Sequence, residues 1–112
     1  MRKIQEELCR RFNAEWIEAD PELKVGISRE LYEGKPLKPI YGNRSEPTPT
    51  TTGWYFYSGP EMSEDEDFFL PLCAAHLEKH CPAVIPYLGL PPGWSFAIVP
   101  EDGVEQVWGL ED

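Results

Sequence analysis

The chain has 112 residues, 41% of them hydrophobic and 12% aromatic, with a formal net charge of −10. A single domain of this length can bury about two-thirds of the surface its unfolded chain exposes, so a packed core is feasible and wholesale disorder is not expected. The charge is lopsided: residues 1–44 hold nine Lys/Arg against eight Asp/Glu, whereas residues 45–112 hold Lys79 alone against twelve Asp/Glu. Such a surface repels nucleic acid and anionic lipid, which are bound through clustered Lys and Arg, and it attracts a basic partner. The plainer reading is that acidity keeps a small protein soluble.

Twelve prolines favour short elements joined by shaped loops. Ile4, Leu8 and Phe12 recur every four residues, which predicts an amphipathic helix over residues 1–13. Its polar face mixes both signs, as expected of a helix packed on a protein and not of one lying on a membrane. Asp20-Pro21 is a turn signal. Leu23, Val25 and Ile27 then alternate with Lys24, Gly26 and Ser28, the period-two pattern of a strand with one wet face, over residues 23–31. Gly34, Pro36 and Pro39 precede a short apolar piece, Ile40-Tyr41, and residues 42–52 read as a surface loop from Pro47, Pro49 and a threonine run.

Gly53-Trp54-Tyr55-Phe56-Tyr57-Ser58-Gly59 reads as the central strand, with glycines where the chain turns. Alternation puts Trp54 and Phe56 on one face and Tyr55 and Tyr57 on the other. The acidic run of Glu61, Glu64, Asp65, Glu66 and Asp67 follows directly. Residues 68–90 read as a second helical region: Leu72, Cys73, His76, Leu77 and His80 have helical spacing, Pro71 is acceptable in the first turn, and Cys81-Pro82 ends the helix. A short helical turn over residues 83–88, a strand carrying Trp94, Phe96 and Ile98, a hairpin connection at Pro100–Gly103 and a last strand over residues 104–110 complete the chain. The sum is one α+β domain over residues 1–112, an antiparallel sheet with helices packed on one face.

Cys73, His76, His80 and Cys81 are the one cluster of metal-ligand residue types. On a single helix they would fall within an arc of about 140°. Thiolate and imidazole suit Zn²⁺, but four ligands on one helix cannot surround an ion tetrahedrally. A thiol nucleophile at Cys73 lacks an orienting group and an oxyanion hole, and acidic neighbours raise a thiol pKa. The plain alternative makes Cys73 a small core residue and the histidines partly exposed. The acidic run lacks the ligand order and central glycine of an EF-hand, so it reads as a solvated loop or a partner-facing patch. No catalytic residue, metal or cofactor is therefore assigned. Three cysteines without secretory spacing, and no apolar run of signal-peptide or bilayer-spanning length, lead to the expectation of free thiols in the cytoplasm.

The aromatic strand, the acidic run, Pro82-Ala83-Val84-Ile85-Pro86-Tyr87-Leu88 and the later Gly93 and Phe96 together resemble the bacterial immunity-protein domain numbered thirty-three, first catalogued as a domain of unknown function. Arg44-Ser45-Glu46-Pro47 is similar to the Arg-Glu-Pro stretch that precedes the strand in that family. The resemblance covers about residues 40–100, with Tyr55 where a basic residue is common and Cys81 where an Asp is usual. It implies a protein that binds and neutralises a toxin domain, with no catalytic residues of its own. On that reading Glu61, Glu64, Asp65, Glu66 and Asp67 steer the partner, and Tyr55 and Tyr57 anchor it. Two alternatives stand beside it: a metal- or thiol-dependent enzyme on the Cys73/His76/His80/Cys81 cluster, and a regulatory or scaffold domain with a different protein partner.

Overall fold

Six short strands form one sheet in the computed structural model, which describes residues 2–59 and 69–109. They are β1 (Lys24–Ser28), β2 (Ile40–Arg44), β3 (Thr51–Ser58), β4 (Phe69–Cys73), β5 (Ser95–Val99) and β6 (Val104–Trp108), in the spatial order β4-β1-β3-β2-β5-β6. Three short helices join them, α1 (Arg2–Arg11), α2 (Arg29–Tyr32) and α3 (Leu77–His80), with 3₁₀ turns at Ala74–His76, Pro82–Tyr87 and Pro100–Asp102. The fold class is α+β. Four strand pairings are antiparallel, and the fifth, β1 with β3, is parallel, so the sheet is mixed where an antiparallel one was expected. The cause is the route taken by the chain: α2 and β2 carry it back, and β3 then enters beside β1 in the same direction.

Strand alternation sorts the side chains onto two faces. Trp54 and Phe56 of β3, Val25 and Ile27 of β1, and Phe96 and Ile98 of β5 are buried on one face. Against them pack Leu8 and Cys9 of α1, Leu31 of α2, Leu77 of α3, and Val84 and Ile85 of the 3₁₀ turn, all in one core cluster. The helices thus cover a single face. Within α1 the apolar stripe is shorter than its periodicity suggests, for Leu8 is buried but Ile4 remains 56% exposed.

Residues 29–32 form α2 although residues 23–31 were expected to be one strand, and three further boundaries change, each for a physical reason. β2 runs on through Gly42 and Arg44 instead of giving way to a loop at Gly42, because the Phe96 ring lies directly over Gly42, where only a residue without a Cβ fits. Gly53 is no turn but an interior residue of β3 with φ 92°, and a Cβ there would run into the Ser45 carbonyl oxygen. The β1–β3 register slips by two residues across this point, with Lys24 opposite Thr51 and Gly26 opposite Tyr55. Residues 69–73 are strand, not helix: Pro71 lies mid-way along β4 opposite Gly26, and its lack of an N–H is tolerated because β4 is an edge strand.

Arg44 ties the layers together. It is 4% exposed, and its guanidinium donates to the carbonyl oxygens of Ile17, Glu18, Thr52, Leu88 and Leu90 at 2.8–3.3 Å. Five acceptors on three segments compensate a buried cation that has no carboxylate partner within reach among the described residues. Burial pushes its pKa down from the ordinary arginine value. Trp54 is fixed beside it, with its indole N–H donating to Leu88 O at 3.0 Å and its ring 5.7 Å from the guanidinium carbon.

Candidate partner-binding face

The face of the sheet opposite the core carries Tyr55 and Tyr57, which alternate with the buried Trp54 and Phe56. Tyr55 is 38% exposed and Tyr57 is half-buried. Two further rings join them. Tyr41 of β2 pairs with Tyr57 in register and stacks on it, centroids 4.9 Å apart at 23°. Phe69 of β4 meets Tyr55 edge-on at 5.2 Å and Tyr57 at 6.3 Å. Offset-stacked and edge-to-face geometries are those the ring quadrupoles favour, so the four rings form a preorganised group.

Gly26 opens the space that Tyr55 occupies, since a Cβ there would lie 2.6 Å from the Tyr55 ring. A shallow cleft of about 320 Å³ runs alongside, lined by Lys24, Gly26, Thr50, Thr51, Tyr55, Phe69 and Pro71 among others. Lys24 Nζ donates to Cys73 Sγ at 3.3 Å across the β1–β4 pair. The six strands contain one carboxylate, Glu105, and it turns to the other side, where it accepts from the Tyr87 hydroxyl at 2.5 Å and from both terminal nitrogens of Arg11 at 3.1 Å. The face that holds Tyr55 is therefore aromatic and amide- or hydroxyl-bearing, with no acidic side chain contributed by any strand, in a chain of net charge −10. Tyr, Asn, Gln and Ser supply contact area and adaptable hydrogen bonds at small entropic cost, a composition suited to protein recognition.

Of the residues expected to bind a partner, Tyr55 and Tyr57 thus share one surface. Glu61, Glu64, Asp65, Glu66 and Asp67 lie outside the described residues. Tyr41 and Phe69 were not anticipated as part of this surface. The alternation of Ile40-Tyr41-Gly42-Asn43-Arg44 carries the signal for Tyr41, masked by the glycine, whereas Phe69 lies in a stretch whose spacing reads as helical.

The Cys73/His76/His80/Cys81 cluster does not sit on one helix. Cys73 ends β4 beside Lys24, His76 closes a 3₁₀ turn, and Cys81 is buried beyond α3. His80 stacks on Tyr32 with centroids 4.4 Å apart, and its Nδ1 is 2.7 Å from the Tyr32 carbonyl oxygen. Among the described residues no three His, Cys, Asp or Glu side chains converge as ligands for one metal ion. Burial raises the Cys9 and Cys81 thiols above the ordinary value, so neither is poised as a thiolate. Among the described residues no helix is long and apolar enough to cross a membrane.

One six-stranded sheet with helices on one face and tyrosines on the other makes this a small α+β protein. Residues 4–109 match the model of the Imm33-like domain, and the chain belongs to that family. The match extends the similarity to α1 and β1, beyond the stretch of about 40–100 that carries the motifs. No curated protein and no solved structure matches the chain.

Proposed function

We propose that the chain is an immunity protein that binds a cognate toxin domain in the cytoplasm and neutralises it by occlusion. The observation that carries this reading is membership of the Imm33-like family across residues 4–109. The face opposite the core supports it: Tyr55, Tyr57 and Tyr41 present packed aromatic rings, the kind of side chain that anchors protein interfaces. The partner is a protein, and neither nucleic acid nor a lipid surface suits a chain with −10 net charge. The protein acts by binding and not by catalysis, and it needs no cofactor.

Two sets of residues divide the work. Glu61, Glu64, Asp65, Glu66 and Asp67 speed the encounter with a basic toxin surface, and Tyr55 and Tyr57 hold the complex. The test is stopped-flow association with the toxin domain encoded beside this protein, comparing wild type with a variant carrying Lys at all five acidic positions. Slower association with a flatter salt dependence is expected. An unchanged rate would remove the acidic run from the interface.

A further inference from the structure

Among the described residues the sheet has two edges, β4 and β6, and they differ. β4 is interrupted by Pro71 at its centre, which blunts it as a template for another strand. β6 contains neither proline nor lysine and runs in unbroken register with β5 from Val104 opposite Val99 to Trp108 opposite Ser95. Two large apolar residues on it are unusually open, Val104 at 45% and Trp108 at 46%. A regular edge with two open apolar side chains is what monomeric proteins disguise.

We propose that two copies of the chain associate edge to edge through β6, in an antiparallel two-fold pairing centred on Gln106. The sequence Val104-Glu105-Gln106-Val107-Trp108 is self-complementary in that register. Val104 faces Trp108 of the second copy, Glu105 faces Val107, and Gln106 faces Gln106. Each exposed apolar side chain gains an apolar neighbour, the two amides can exchange hydrogen bonds, and the strand's carboxylate does not face its own copy. Glu105 is moreover neutralised within its own protomer by the two-pronged contact from Arg11. A shift by one residue in either direction would lose this match and turn the strand's apolar residues to the wrong face. The product is one continuous sheet across both copies, with the tyrosine faces side by side.

Pairing over five residues is a small interface, so the dimer is weak, with a dissociation constant on the order of 10–100 µM. Protomers of charge −10 repel each other at long range. Added salt screens that repulsion, and therefore tightens this dimer where it would loosen one held by ion pairs.

Sedimentation equilibrium on the full chain tests the proposal. Wild type is expected to dimerise more tightly at about 500 mM NaCl than at about 50 mM. Gln106→Lys, which sets two ammonium groups against each other at the two-fold, is expected to weaken the dimer at least about tenfold. Glu22→Gln, an equal charge change on the exposed turn before β1, is expected to leave it unchanged. Independently of any folding effect of the lysine, Gln106→Cys in a Cys73→Ser background should give a disulfide-linked dimer on oxidation. A chain that stays monomeric up to about 1 mM, or a dimer that is indifferent to Gln106→Lys and crosslinks through Tyr55→Cys instead, would overturn the edge pairing.

Discussion

The Arg44 guanidinium and the Trp54 indole converge on one acceptor, the Leu88 carbonyl oxygen, at 3.3 and 3.0 Å. That oxygen ends the 3₁₀ turn over the core, so two side chains on neighbouring strands hold the cover onto the sheet. Arg44→Ala leaves four further carbonyls without their donor and opens a cavity beside Trp54. The expected cost is about 3–5 kcal/mol, read from urea unfolding. Arg44→Lys should recover less than half of it, because one ammonium cannot reach acceptors spread over three segments. Trp54→Phe keeps most of the ring volume, loses one hydrogen bond, and should cost about 1–3 kcal/mol.

Acid and alkali should each loosen the contact between α1, the 3₁₀ turn and β6. The Arg11 guanidinium, and then the Tyr87 hydroxyl, hold the Glu105 carboxyl below its ordinary value of 4.5. Its contribution is therefore present above pH 4.5 and disappears as pH falls through the lower folded-state value. Burial, and then the bond to Glu105, push the Tyr87 phenol well above its ordinary value of 10.0. Its contribution is present below pH 10 and is lost as pH rises beyond it. Thermal unfolding across pH should show both limbs. Glu105→Gln should flatten the acid limb and Tyr87→Phe the alkaline one, and unchanged limbs would show that the triad does not set the pH dependence.

Thiol chemistry should separate the three cysteines. Cys9 and Cys81 are buried with raised pKa values, whereas Cys73 is partly exposed on the open face beside Lys24. In native protein an aromatic disulfide reagent should modify Cys73 alone, with the other two reacting only on denaturation. Rapid reaction of two or more thiols in the native state would contradict the packing of α1 and the 3₁₀ turn on the sheet.

The inward and outward faces of β3 were legible in the sequence because alternation of side chains is a local property: Trp54 and Phe56 are buried and Tyr55 is exposed, as the pattern demands. The hairpin of β5 and β6 was legible for the same reason, with Gly103 in the left-handed region closing its turn. What failed depended on distant neighbours. Gly42 looked like a loop residue because nothing near it in sequence reveals the Phe96 ring that requires a glycine there. Pro71 looked like a helix start because its tolerance in a strand depends on that strand lying at an edge. Arg44 gave no sign of its role, since all its acceptors are backbone carbonyls, which every sequence supplies. The tyrosine surface was half visible: Tyr55 and Tyr57 come from one strand, but Tyr41 and Phe69 are brought to them by pairing across the sheet.

The proposed binding surface is the tyrosine face, and calorimetric titration with a cognate toxin domain tests it most directly. Tyr55→Ala combined with Tyr41→Ala removes two rings of the open face while leaving the core residues Trp54 and Phe56 in place. The account predicts a loss of at least about 2 kcal/mol in binding, roughly 30-fold in affinity, with an unfolding temperature within a few degrees of wild type. Undiminished affinity in a variant that remains folded would contradict it and move the interface away from this face.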